Sequence, residues 1–149
     1  MNKYVLVVIV FVASYFLIFK DSYPNAVEFN GHTLSSKEDN NNSRNKDLDI
    51  FSYSDKSNHH VLMFAITNDA AITLSDLSKQ YLGRFEYQGY SFSKSGTNFI
   101  GRKSDGIIYM AESPNINALI VYIEKGASQS PRHPSDAAGL FNELENFLL

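Results

Sequence analysis

The chain of 149 residues contains no cysteine. That absence excludes a disulfide, a thiolate metal site, a thiol nucleophile and a lipid-bearing cysteine, so any membrane attachment has to come from apolar residues. It is compatible with the periplasm without establishing a redox compartment. Basic residues are also scarce, at 13 Lys and Arg against 16 Asp and Glu, for a formal net charge of -3. With Lys3 and Lys20 set aside, 11 of those 13 basic residues remain against the same acidic total, a balance near -5 that argues against a nucleic-acid or anionic-lipid surface. Catalytic signatures are missing too. There is no Gly-x-Ser-x-Gly elbow, and Ser95-Gly96-Thr97 lacks that setting. No phosphate-cradling loop occurs, because Lys94-Ser95-Gly96-Thr97 lies between strand-like runs and not before a helix. The stretch Ser35–Lys46 lacks any apolar residue, cannot bury anything, and reads as a mobile polar loop.

What is present begins with a run of sixteen uncharged residues, Tyr4 to Phe19, bounded by Lys3 and Lys20. At about 1.5 Å per residue it spans roughly 24 Å as a helix, against a hydrocarbon core of about 30 Å. Snorkelling by the two lysines, with Tyr4 and Phe19 in the interfaces, fits such a run to a thinned bilayer. The alternative is a cleaved secretory signal. Its only plausible small-residue site, Val12-Ala13-Ser14, would leave Tyr15 to Phe19 greasy at the new terminus. Residues 1–22 therefore read as a membrane anchor or uncleaved signal, touching the lipid bilayer through residues 4–19, and residues 23–149 as a single domain held outside the cytoplasm, with the periplasm as the expected compartment. Secretion after cleavage is the alternative.

Alternation of apolar and polar residues predicts a strand at Ala26–Leu34 with a turn or bulge at Asn30-Gly31. Asp47–Tyr53 and His60–Thr67 follow as strands, the second so continuously apolar that both of its faces should be covered. Thr73-Leu74-Ser75-Asp76 resembles a capping box, and Leu74, Leu77, Tyr81 and Phe85 recur at helical spacing, so a helix is expected to about Glu86. Tyr90–Ser93, Asn98–Lys103, Ile107–Glu112 and Asn117–Glu124 read as four strands with short turns, the last again central. Lys125–Pro134 is a loop. Ala137, Leu140, Leu144, Phe147 and Leu148, widened by Phe141, mark a C-terminal amphipathic helix. The order β-β-β-α-β-β-β-β-α implies an α+β fold: an antiparallel β-sheet with two helices packed on it, preceded by an N-terminal hydrophobic helix.

This order, with the helix Leu74–Phe85, the Gly-Tyr-Ser-Phe segment Gly89–Phe92, the Phe99-Ile100-Gly101-Arg102 hairpin and the terminal Phe147-Leu148-Leu149, resembles the PsbP-like family, including the small DcrB-type bacterial envelope proteins. The resemblance covers roughly residues 26–149 and is one of pattern and spacing. The polar insert Ser35–Lys46 and the missing lipid-bearing cysteine depart from it. It implies a non-catalytic envelope accessory or binding protein.

Candidate chemistry is sparse. His59 and His60 are neighbours, which on a strand face opposite ways and do not share a metal; His32 and His133 occupy loop positions beside Gly31 and Pro134. Asp47 and Asp49 share a strand face, the wet one. Arg84, Lys94, Arg102 and Lys103 are interleaved with Tyr87, Tyr90 and Phe92, a pattern that fits solvated strand edges over core aromatics better than a nucleic-acid surface. No catalytic residue, metal or cofactor is therefore expected. The expected function is that of a membrane-tethered, non-catalytic interaction domain with an envelope protein partner, using the sheet face not covered by helices or an exposed edge. The alternatives are a ligand-binding module with an aromatic pocket around Tyr81, Tyr90 and Tyr109, and a metal-dependent hydrolase built from histidines and carboxylates.

Overall fold

The computed structural model describes residues 24–36, 48–126 and 134–148. The apolar run 4–19, the polar stretch 37–47 and the segment 127–133 lie outside the described residues. Among the described residues, eight strands form one antiparallel sheet: β1 (Ala26–Phe29), β2 (His32–Ser36), β3 (Leu48–Ser54), β4 (His60–Thr67), β5 (Ser91–Ser95), β6 (Asn98–Lys103), β7 (Gly106–Ser113) and β8 (Ala118–Lys125). Helix α1 (Leu74–Tyr87) follows β4, and α2 (Pro134–Leu148) follows β8. The spatial order is β1-β2-β3-β4-β8-β7-β6-β5. Two four-stranded meanders therefore meet at the β4–β8 seam, where Phe64 lies opposite Ile120.

The α+β class and antiparallel sheet match the expectation, and so does the central place of the two most apolar strands. One element differs. The stretch Ala26–Leu34 is not a single strand but a hairpin, β1–β2, closed between Phe29 and His32. Asn30 and Gly31 both adopt positive φ (49° and 75°), the pair of left-handed residues whose twist suits a two-residue hairpin.

Each face of the sheet carries one helix. Leu77, Tyr81 and Phe85 of α1 pack with Ile108, Met110, Leu119 and Val121, while Ala137, Leu140, Phe141 and Leu144 of α2 pack on the opposite face with Phe64, Tyr109, Ile120 and Tyr122. The division follows from β7 and β8. Apart from one half-buried residue in each and the exposed end of β8, both are buried on both faces, so each face needs its own cover.

Local chemistry sets the ends of α1. The Thr73 hydroxyl accepts the Asp76 amide at 3.1 Å and donates to the Asp76 carboxylate at 2.8 Å. The helix closes one residue past Glu86, with the Tyr90 amide donating to the Phe85 carbonyl at 3.1 Å. Thr73→Ala is expected to cost about 1 kcal/mol, read as a lower urea midpoint with an unchanged denaturant slope. Across β5 and β6, Phe92 lies flat over Gly101, where a Cβ would sit 2.6 Å from the ring. This close approach fastens the edge hairpin beneath Phe85 of α1, 6.4 Å from Phe92 between ring centroids.

Candidate functional site: a histidine hairpin and an open sheet face

The three tyrosines expected to surround a pocket are all buried, and the sheet divides them. Tyr81 and Tyr90 lie on the α1 face, each with its ring 6.2 Å from that of Phe85. Tyr109 lies on the α2 face, stacked on Tyr122 at 6.2 Å and edge-on to Phe141 at 6.2 Å. They do not line one cavity. In an all-apolar strand such as Ile107–Met110 the sequence carries no phase, and Tyr109 points away from its neighbours Ile108 and Met110.

The cations near these rings act as covers. Arg84 lies 5.3 Å over Tyr81, Lys94 5.5 Å over Phe99, and Lys103 4.7 Å over Tyr90 while also pairing with Asp105 at 3.5 Å. Burial pushes both tyrosine hydroxyls above their ordinary pKa, opposed by Arg84 at Tyr81 and by Lys103 at Tyr90.

The histidines behave differently from the sequence reading. His60 stacks on His32 with ring centroids 3.7 Å apart and 19° between planes, while His59 is exposed in the preceding turn. His133 and Asp47 lie outside the described residues. Asp49 accepts a hydrogen bond from the Asn68 amide at 2.7 Å, at the far end of β3 from the histidine pair. Among the described residues no group of three or more His, Asp or Glu side chains is placed to hold a metal ion.

Around the pair stands a polar cluster that sequence reasoning missed. His60 Nδ1 lies 3.0 Å from the Tyr122 hydroxyl, and the Asn30 amide donates to Glu124 Oε1 at 3.0 Å. Glu124 is only 3 % exposed and sits opposite His60 across the β4–β8 seam. Asp55 Oδ1 accepts the amides of His59 at 2.9 Å and His60 at 3.3 Å, while Ser57 donates to Oδ2 at 2.9 Å. Burial acts to raise the Asp55 carboxyl, but the His60 amide, the Ser57 hydroxyl and the His59 amide outweigh it and hold the carboxyl below its ordinary value. Burial and then the neighbouring His32 push His60 below its ordinary value, against the pull of Asp55 and Glu124. The available signal was a glutamate ending an otherwise apolar central strand, which calls for a buried partner. Beside the cluster, between Glu28–Gly31 of the hairpin and Glu143, Asn146 and Phe147 of α2, lies a cleft of about 440 Å³.

A second feature is an open area on the α1 face. The helix lies over β5, β7 and β8, and Leu48, Ile50, Met63 and Ile123 stay half-buried at the margin of the core it covers. They belong to three adjacent strands, with Ser52 opposite Met63 and Val61 opposite Ile123, and so form a contiguous aliphatic area. The outer strand β5 is exposed but for Phe92, consists of serines with one lysine besides that ring, and is thereby guarded against edge pairing.

The fold and these features define an α+β protein with an antiparallel sheet between two helices. No family model, curated protein or solved structure matches the chain.

Proposed function

We propose that this chain is a membrane-tethered, non-catalytic accessory domain outside the cytoplasm that binds a partner protein through the aliphatic area of β3, β4 and β8. The observation that carries this reading is the off-centre seat of α1, which leaves Leu48, Ile50, Met63 and Ile123 half-buried. Covering such side chains is favourable by about 25 cal/mol per Å² of apolar area removed from water. An apolar face on a partner held in or beside the same bilayer is the matching occupant. The tether supports the reading. Only the five residues Asp21 to Asn25 separate Lys20 from β1, so an inserted Tyr4–Phe19 segment keeps the domain at the bilayer surface and raises its effective concentration toward membrane partners. The pattern-level resemblance to PsbP-like envelope proteins points the same way.

Photocrosslinking of the full-length protein in its native membrane tests this. A photoreactive residue at Ile50 or Met63 is expected to capture one defined protein, and a probe at Glu143 is not. Ile50→Asp together with Met63→Asp should lower recovery of that protein by about tenfold or more, with circular dichroism unchanged. Equal capture from Glu143, or capture of lipid alone, would sink the assignment.

A further inference from the structure

Among the described residues, β2 pairs with β3 at Ser35↔Ser54 and Ser36↔Tyr53 and its turn-side residues His32, Thr33 and Leu34 do not pair with β3, whereas β3 with β4 and β4 with β8 each pair over seven positions. The turn end of the hairpin is held instead by side chains. Asn30 donates to Glu124, His32 stacks on His60, and the Phe29 ring meets that of Tyr122 edge-on at 4.8 Å. The cleft against α2 lies beside this end.

We propose that His32 and His60 form a pH-sensitive latch that holds the β1–β2 hairpin on the sheet near neutral pH and releases it on acidification. This goes beyond the partner-binding reading and does not rest on it. Two imidazole rings 3.7 Å apart and nearly parallel stack well while at least one is neutral; two imidazolium rings in that position repel each other across a partly desolvated contact. Among the described residues, the remaining titratable groups facing His60 are Asp55 and His59 from the β3–β4 turn and Tyr122 and Glu124 from β8. The two carboxylates favour the charged ring; burial and the neighbouring His32 disfavour it and prevail, so His60 is held below its ordinary pKa.

The direction of the pH effect follows. Releasing the hairpin removes His32 and part of the burial from His60 while Asp55 and Glu124 stay beside it, so the released form binds more protons than the closed one. Stability of the closed hairpin is therefore fully present at a pH above the released form's value and is lost as the pH falls through the lower closed one. Release uncovers Phe29 and Tyr122, both buried in the closed form, and opens the cleft.

Hydrogen exchange on the full-length chain in lipid nanodiscs tests the latch, with rates corrected for the intrinsic pH dependence of exchange. Between about pH 7.5 and about pH 5, amides of Val27–Ser35 should lose about tenfold or more of their protection while those of β7 and β8 keep theirs. His60→Phe retains a stacking ring that cannot be protonated, so hairpin protection should differ by less than about threefold between the two conditions. His60→Gln serves the same comparison where the phenylalanine is not accommodated. The proposal is overturned by wild-type hairpin amides that keep their protection on acidification. It is equally overturned by parallel loosening of β7 and β8, which means global unfolding, or by pH-dependent release that persists without His60.

Discussion

Replacing Phe64 by alanine is expected to lower the unfolding free energy by about 3–5 kcal/mol, within reach of the whole stability of a domain this size. The side chain has no exposed surface and occupies the middle of β4, opposite Phe51 on one side and Ile120 on the other. Its ring stacks on Phe147 of α2 at 5.7 Å and meets Tyr53 of β3 edge-on at 6.2 Å. Truncation leaves a void bounded by both meanders and the C-terminal helix, and strands paired on both sides cannot collapse to fill it. Urea unfolding measures the loss. Met63→Ala, one residue away on the half-buried face, is the control and should cost markedly less, because its side chain already meets solvent. A Phe64 effect no larger than that of Met63 would contradict the seam as the centre of the core.

The second large effect concerns the proposed tether. Arginine at both Val8 and Val12 should move the protein from the carbonate-washed membrane pellet to the supernatant. Each charge near the middle of a span costs about 2.5–3.5 kcal/mol, while each Val, Ile, Leu or Phe there contributes only about 0.3–0.6 kcal/mol in favour, so two arginines offset most of what sixteen residues supply. Wild-type protein found in the supernatant would end the tether reading, and a new amino terminus found within residues 12–15 of that material would assign the run as a cleaved signal instead.

Much of the fold was legible because its causes are local. Thr73 and Asp76 lie three positions apart, and the hydroxyl-to-amide bond between them is what starts α1. His60–Thr67 and Ala118–Lys125 could be placed at the centre because unbroken apolar runs need cover on both faces, and they are the strands that meet at the seam. Asn30-Gly31 announced a turn. That it closes a hairpin and not a bulge depended on the pairing Phe29↔His32, and with it came the eighth strand.

The candidate sites were less legible, for a common physical reason. Tyr109 and Tyr81 look equivalent as aromatics in apolar surroundings, yet the pleat of β7 turns Tyr109 to the α2 face, away from Tyr81 and Tyr90. His32 and His60 are twenty-eight positions apart in the chain. Their stacking depends on how far the β1–β2 hairpin curls over the end of the sheet, a quantity that no spacing encodes.

Composition and periodicity alone thus settled the α+β class, the antiparallel sheet, the two amphipathic helices and the most buried strands, since each depends on the side-chain period of one segment in water. They also supplied the apolar run on which the tether proposal stands. Only the tertiary structure decided that the helices take opposite faces, that α1 sits off-centre and leaves Leu48, Ile50, Met63 and Ile123 half-buried, and that Asn30, His32, His60, Tyr122 and Glu124 converge. These are relations between segments distant in the chain, set by strand register and by which face each pleat turns inward, and a one-residue shift in either would have dispersed them.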